Sequence, residues 1–247
     1  MFANKYQKEL INLFNHILEY RDYEEMILKE NPDFKGQITE DELKKVLNGN
    51  IATCALLKDG KEISNTFISS SFNNRFSMRE KQFNSYDSGT TLQSRVVTLT
   101  GSGGEDETFR HTRKDKICVF SPPPGSESIT AEPFFCGSER RLFDSERLLF
   151  NLLHKLINDH PKSFDTILLV TERIPCKSCT NIIIDFIRIH GIQVNIAYWI
   201  NTGNKELRDI EKLRTHIKKH KRQAKLINLC EITCKDGADF YYIDRPL

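Results

Sequence analysis

Cys176 and Cys179 have the spacing of metal ligands. They follow Pro175 at the predicted start of a helix. Proline suits the first turn of a helix, and cysteines three residues apart in that turn direct their sulfur atoms toward one point. The free N–H groups and the dipole of a helix N-terminus favour thiolates there. Two thiolates supply half of a tetrahedral zinc site, so this segment predicts a metal centre.

Two carboxylates, Asp144 and Glu146, open the preceding predicted helix. A catalytic zinc site uses three protein ligands and leaves one position open, and a carboxylate can be the third ligand. We therefore expect Asp144 to join Cys176 and Cys179, although an aspartate at this position could also be only a helix cap. Glu146, two residues further along, could take a proton from an attacking water and pass it to a leaving amine.

The order of these motifs resembles the cytidine deaminase-like superfamily. The matching order covers roughly residues 50–234. It begins with a hairpin, a helix that opens with Asp144-Ser145-Glu146, and a strand. A helix that opens with Pro-Cys-x-x-Cys comes next, followed by a strand, a helix and a strand. The usual signature is His-x-Glu followed by Pro-Cys-x-x-Cys, so Asp144 stands where the superfamily has histidine. The segment TERIPCKSC, residues 171–179, resembles the deaminase domains of bacterial polymorphic toxins.

This resemblance implies a zinc-dependent hydrolytic deaminase of a nucleobase, with Zn²⁺ on Asp144, Cys176 and Cys179 and with Glu146 as the proton shuttle. The implied substrate is cytosine in single- or double-stranded nucleic acid, DNA before RNA. The implied fold is the cytidine deaminase-like three-layer sandwich with a mixed five-stranded sheet. If the protein is a toxin or defence effector, an immunity protein is an expected partner. Two alternatives stay open: a deaminase of free nucleosides or nucleotides, and a non-catalytic, zinc-stabilised binding module.

Other cysteines offer competing interpretations of the metal site. Cys136, eight residues before the aspartate, could be the third ligand, and Cys230 with Cys234 could complete a structural site of four cysteines. Cys54 and Cys118 stand alone in apolar or loop segments, which is typical of small buried hydrophobic residues.

Candidates for substrate contact follow the hairpin and the strand after the cysteine helix. By the resemblance, Asn73 corresponds to an asparagine that hydrogen-bonds the ribose or base, and a turn role fits it equally. Tyr198 and Trp199 end a strand whose following loop, in nucleic-acid-editing deaminases, contacts the nucleotide beside the target. Trp199 could stack on a base or could pack in the core. His154 lies on an apolar helix face and is expected to be a packing residue.

Charge is balanced over the whole chain and concentrated locally. The 247 residues contain 36 Lys and Arg and 34 Asp and Glu, a net charge of +2 that excludes a globally basic coat protein. The predicted helix 205–225 carries nine Lys or Arg against three acidic residues, which suits either phosphate contacts or a solvated face. The predicted nucleic-acid contacts are its densest basic cluster, Lys218, Lys219, Lys221 and Arg222.

The periodicity of apolar residues predicts the elements that position these groups. Alternating strands and helices indicate an α/β fold with a mixed sheet. We expect an N-terminal helical extension over residues 1–48 and a deaminase-like domain over 49–247, with an insertion at about 73–143. Helices are predicted at 4–30, from Thr39 to about 48, and at 144–160, 176–190 and 204–225. Strands are predicted at 51–57, 62–72, 116–120, 164–171, 192–200 and 226–234.

Neither a membrane span nor a signal peptide is predicted. No apolar run approaches the roughly 18 residues of a span, and charged residues interrupt the first 20 positions. Seven cysteines are too few for a disulfide scaffold of this length. We expect a cytoplasmic protein without membrane association, or one delivered into a target cell if it is a toxin.

Overall fold

From Ser145 to Trp199, helices and strands alternate along the chain, as the apolar pattern predicts. The structure is a computed structural model that describes residues 3–30, 49–62, 66–71, 95–99, 117–121, 134, 144–159, 164–199, 204–235, 239–244 and 247. Its helices are α1 (Ala3–Glu30), α2 (Ser145–Asp159), α3 (Lys177–His190), α4 (Asn204–Lys218) and α5 (Lys221–Ala224).

The strands form one mixed sheet. They are β1 (Ile51–Lys58), β2 (Lys61–Glu62), β3 (Thr66–Ser70), β4 (Arg95–Leu99), β5 (Ile117–Ser121), β6 (Thr166–Thr171), β7 (Gln193–Trp199), β8 (Ile227–Lys235) and β9 (Asp239–Asp244). Their order is β4-β5-β3-β1-β6-β7-β8-β9, with β2 paired to β1. Strands β6, β7 and β8 run parallel, as do β3 and β5, and the other pairs are antiparallel. The five strands implied by the resemblance are the central β3-β1-β6-β7-β8, and the sheet extends beyond them on both sides.

The first hairpin forms where the sequence predicts it. Asp59 and Gly60 both adopt positive φ, 51° and 75°, which a two-residue hairpin turn with right-handed strand twist requires. The turn pairs Lys58 with Lys61 and fixes the register of β1 against the short β2.

Helices cover both faces of the sheet and make three layers. Along β6, Ile167 and Leu169 pack with α2, α3 and α4, whereas Leu168 and Val170 pack with α1 on the opposite face. This alternation follows from the two-residue period of a strand, and it explains why β6 reads as a continuous apolar run. Helix α1 contributes residues three and four apart to its layer, all at most 3% exposed: Leu10, Leu13, Phe14 and Ile17. The α/β sandwich expected from the sequence is therefore confirmed.

Three predictions about the elements were wrong. The basic helix does not continue to residue 225: α4 ends at Lys218, and His220, with φ −99° and ψ 63°, separates it from the four-residue α5. Strand β8 is not the last strand, because β9 pairs with it. Strand β4 lies inside the predicted insertion, where only β5 was expected.

Several predicted features lie outside the described residues. They are the short helix from Thr39, most of the insertion at 73–143, and with it Asn73 and Cys136. In the part of the chain that the structure describes, no helix combines the length and hydropathy needed to cross a membrane.

Candidate metal centre and active site

Asp144, Cys176 and Cys179 meet at the sheet edge where β6 ends. Asp144 directly precedes α2, Cys176 caps the N-terminus of α3, and Cys179 lies in the first turn of α3. Oδ2 of Asp144 is 3.3 Å from Sγ of Cys179 and 3.8 Å from Sγ of Cys176, and the two sulfurs are 3.3 Å apart. Their potential ligand atoms all lie within 4.8 Å of one another. These separations are close to the about 3.8 Å between two sulfur ligands of a tetrahedral zinc ion.

The two thiols differ in acidity because they share a hydrogen bond. The bond from Cys179 lowers the pKa of Cys176, whose Sγ also accepts the backbone N–H of Cys179 at 3.4 Å. The same bond raises the pKa of Cys179 well above its ordinary value, and burial and the neighbouring carboxylates act in the same direction. Three acidic groups, Asp144, Cys176 and Cys179, thus crowd together with Glu146, an arrangement whose mutual repulsion a divalent cation relieves.

Glu146 is almost completely enclosed beside this cluster, at 2% exposure in the first turn of α2. Its Oε2 lies 3.6 Å from Sγ of Cys179 and accepts a hydrogen bond from Ser145 Oγ at 3.0 Å. Burial raises the pKa of Glu146, and the nearby charge of Asp144 adds to the effect. A raised pKa makes the carboxylate a stronger base toward an attacking water, which suits a proton shuttle.

Asn50, a residue that sequence reasoning missed, holds the other oxygen of Glu146. Its Nδ2 donates to Glu146 Oε1 at 3.0 Å and lies within hydrogen-bond distance of Ser145 Oγ and Thr171 Oγ1, at 3.1 and 3.0 Å. Its Oδ1 accepts the backbone N–H of Arg173 at 3.1 Å. The sequence around Asn50 signals only a turn before a buried strand, so nothing local to it indicates a role in the site.

A groove runs from Cys176 along the carboxyl ends of β6 and β7. It has a volume of about 1490 Å³ and extends from Cys176 and Trp199 to the side of α4. Its charged lining comprises Glu172, Arg173, Lys177, Arg208, Asp209, Glu211, Lys212, His216 and Lys219. Helices α3 and α4 begin at this edge, and in open α/β sheets such a crevice is the usual place for a ligand.

The predicted substrate residues separate in the structure. Trp199 lines the groove and packs on Phe14 of α1, with ring centroids 5.6 Å apart, so its packing role is observed and its stacking on a base stays a prediction. Tyr198 points into the core instead: it is 0% exposed, and its hydroxyl donates to Glu231 at 3.5 Å. This placement gives the predicted substrate contact of Tyr198 no support.

The four residues of the predicted basic cluster do not all lie at the groove. Lys219 lines the groove, whereas Lys218, Lys221 and Arg222 are exposed outside its lining. Two basic residues that sequence reasoning did not single out, Arg208 and Lys212, line the groove one helical turn apart on α4.

The competing interpretations of the cysteines are also decided in part. Cys230 is 1% exposed and packs in the layer under α1, away from the cluster of helices α2 to α4. It therefore does not join Cys176 and Cys179. Cys54 is completely buried, which raises the pKa of its thiol, as expected for a packing residue. His154 packs edge-on against Phe134 and hydrogen-bonds a second histidine, so its packing role is confirmed.

One protein family matches most of the chain. The toxin-deaminase family described as "The BURPS668_1122 family of deaminases" matches residues 32–199, a range that contains Asp144, Glu146, Cys176 and Cys179. No curated protein and no solved structure matches the chain significantly.

Proposed function

The chain belongs to the toxin-deaminase family, and from this premise we propose that it is a zinc-dependent hydrolase that deaminates cytosine in a nucleic-acid strand. The observation that carries the proposal is the convergence of Asp144, Cys176 and Cys179 beside the buried carboxyl group of Glu146. The residues that resemble the superfamily's signature thereby lie together, with aspartate in place of histidine.

Asp144, Cys176 and Cys179 would hold zinc. Their distances fit a tetrahedral ion with three protein ligands, and the concentration of acidic groups fits a dication. When bound, zinc supplies a Lewis acid that makes a water molecule nucleophilic at neutral pH. A carboxylate in place of a neutral histidine adds one negative charge to the site.

Glu146 moves the protons of the reaction. Cytosine and water give uracil and ammonia, so the attacking water gives up both of its protons: one goes to N3 of the ring and the other to the departing amino group. The hydrogen bonds around Glu146 suit both of its protonation states. The single proton of the Thr171 hydroxyl has three acceptors within reach: Glu146 Oε1 at 3.1 Å, the carbonyl of Arg173 at 2.8 Å and Asn50 Oδ1 at 3.4 Å. Thr171 can therefore donate to Glu146 when it is ionised and to Arg173 when it is protonated.

The groove supports a polynucleotide over a free nucleoside. Its volume of about 1490 Å³ exceeds the roughly 300–1,000 Å³ of a typical small-molecule pocket. Five Lys and Arg side chains line it against three acidic ones, and one of those acids, Glu172, is paired with Arg21. Trp199 offers an aromatic surface on which a base can stack, worth about 1–3 kcal/mol. We propose DNA as the first substrate to test.

The biological setting follows from the same family. A toxin that edits nucleic acid would be delivered into a target cell, and the producing cell would need an immunity protein that blocks the site. The groove beside Cys176 and Trp199 is the surface such an inhibitor would cover.

Turnover of matched substrates tests the proposal. The purified full chain is given a single-stranded oligonucleotide with one cytosine, the same sequence with adenine as the reactive base, and free cytidine. We expect ammonia release and a C-to-U change in the cytosine oligonucleotide, and none with a Glu146→Gln variant. Faster turnover of cytidine would favour the free-nucleoside alternative. Bound zinc without turnover of any substrate would favour the non-catalytic binding module.

A further inference from the structure

Arg21 of helix α1 reaches the edge of the sheet at which the active site lies. The helix lies before the range matched by the family, residues 32–199. Its Arg21 nevertheless forms a two-point ion pair with Glu172, the first residue after β6: Nη2 pairs with Oε2, and Nε donates to Oε1 at 3.3 Å. Both side chains are largely buried, at 14% and 17% exposure, so solvent screens the pair less than an exposed one.

The same two side chains clamp the backbone on both sides of Asn50. Arg21 Nη2 donates to the carbonyl of Gly49 at 2.6 Å, and the backbone N–H of Ile51 faces Oε2 of Glu172 at 3.4 Å. The backbone N–H of Glu172 also donates to the carbonyl of Ile51 at 2.9 Å. The residues before and after Asn50 are therefore fixed to one ion pair.

The orientation of Asn50 matters because its amide is the link to the catalytic carboxyl group. Asn50 donates to Glu146 Oε1 at 3.0 Å, and its own oxygen receives the N–H of Arg173, the neighbour of Glu172. A displacement of about 1 Å in a positioning group can slow a reaction by about a hundredfold.

We propose that Arg21 is a positioning residue of the active site: by clamping Gly49 and Glu172 it holds the Asn50 amide against Glu146. The inference rests on the proposed function of Glu146 as proton shuttle. In this proposal, α1 positions a residue of the catalytic centre in addition to forming one layer of the fold.

The two-point geometry makes Arg21→Lys a sharp test. Lysine keeps the charge but presents a single ammonium group, which cannot pair with both carboxylate oxygens in the plane of a guanidinium group and also reach Gly49. If Arg21 acts through its charge alone, the Arg21→Lys variant should have the activity of the wild type. A positioning role predicts that Arg21→Lys and Arg21→Ala are both impaired.

Leu10→Ala is the matched control on the same helix. Leu10 is 1% exposed in the core under α1 and lies eleven residues, about 16 Å, from Arg21. Its truncation loosens the packing of the helix and leaves the ion pair intact. It therefore separates a general loss of stability from a loss of positioning.

The experiment combines two measurements on the zinc-loaded full chain. We expect both Arg21 variants to keep their zinc and lower kcat, per bound zinc, at least tenfold. We also expect the side-chain amide signals of Asn50 in ¹H–¹⁵N spectra, assigned with Asn50→Ser, to shift and to exchange faster with solvent. Leu10→Ala should lower the melting temperature and leave both readouts unchanged.

The outcomes separate this inference from the proposed function. Wild-type kcat and unchanged Asn50 signals in the Arg21 variants would overturn the inference while Glu146→Gln stays inactive. Equal impairment by Leu10→Ala would also overturn it. If the wild type and Glu146→Gln release ammonia equally, the proposed function fails. In that case Arg21 does not position a catalytic group, even if the Asn50 signals shift in its variants.

Discussion

Sγ of Cys179 lies 3.3 Å from Oδ2 of Asp144, although 35 residues separate them along the chain. The contact arises because α2 and α3 both begin at the edge of the sheet where β6 ends. A helix start carries unsatisfied N–H groups and a partial positive charge, so two such starts side by side can stabilise a cluster of anionic ligands.

The first prediction concerns zinc content. The purified protein should contain about one zinc per chain, and Cys176→Ser or Cys179→Ser should lose most of it, because two ligands cannot retain the ion. Cys230→Ser is the control, since Cys230 packs under α1 in the opposite layer. Metal analysis by mass spectrometry gives the stoichiometry. Loss of zinc in Cys230→Ser equal to that in Cys176→Ser would contradict the three-ligand site.

The second prediction separates metal binding from proton transfer. Glu146→Gln should keep its zinc and lower kcat by about 10²–10⁴-fold, because glutamine fills the same space but cannot carry a proton. Asp144→Ala should instead lose both zinc and activity. Ammonia release and zinc content are measured on the same preparations. A Glu146→Gln variant with near-normal turnover would remove Glu146 from the mechanism.

The third prediction compares two pairs of basic residues. Neutralising Arg208 and Lys212 to glutamine should weaken the binding of a single-stranded oligonucleotide and reduce the slope of log K against log salt by about two units. The matched variant, Lys218 and Arg222 to glutamine, removes the same charge outside the groove and should leave the slope unchanged. The measurement is a salt titration of binding by fluorescence anisotropy. Equal slopes for the two variants would show that the basic residues of the groove do not bind the phosphates of the oligonucleotide.

The fourth prediction concerns stability and pH. His190 Nε2 is 2.8 Å from His154 Nδ1, and burial together with the nearby His154 lowers the pKa of His190. The unfolded chain, in which histidine has its ordinary pKa of about 6.5, then binds protons that the folded chain does not. The stabilising effect is complete above about pH 6.5 and is lost as pH falls toward the lowered pKa of the folded state.

The test of this pH dependence uses urea unfolding at pH 7.5 and 5.5. The wild type should lose more stability between these values than His190→Gln, because glutamine does not titrate. His216, whose pKa is also lowered by burial and by neighbouring cationic groups, is present in both proteins and cancels in the comparison. Parallel losses in the two proteins would show that His190 makes no contribution.

Local sequence was sufficient to identify the candidate residues of the site. The spacing of Cys176 and Cys179, the carboxylates Asp144 and Glu146, and the helix starts that carry them depend on contacts within one turn of chain, so their residue types reveal them. The same reason explains why the Asp59-Gly60 hairpin was predicted correctly. The sequence also contains an Asp-Gly pair at residues 236–237, before β9, and this turn signal was not used to predict that strand.

Only the tertiary structure decided which distant residues support that site. Asn50 and Glu146 are 96 positions apart, and Arg21 and Glu172 are 151 positions apart. Their contacts depend on β1 pairing antiparallel to β6 and on α1 lying across that pair. The face of α4 on which Arg208 and Lys212 lie was likewise set by how the helix packs on the sheet. Sequence periodicity identifies the apolar face of an element but not the element that covers it. Strand order and helix packing depend on contacts between residues far apart in the sequence.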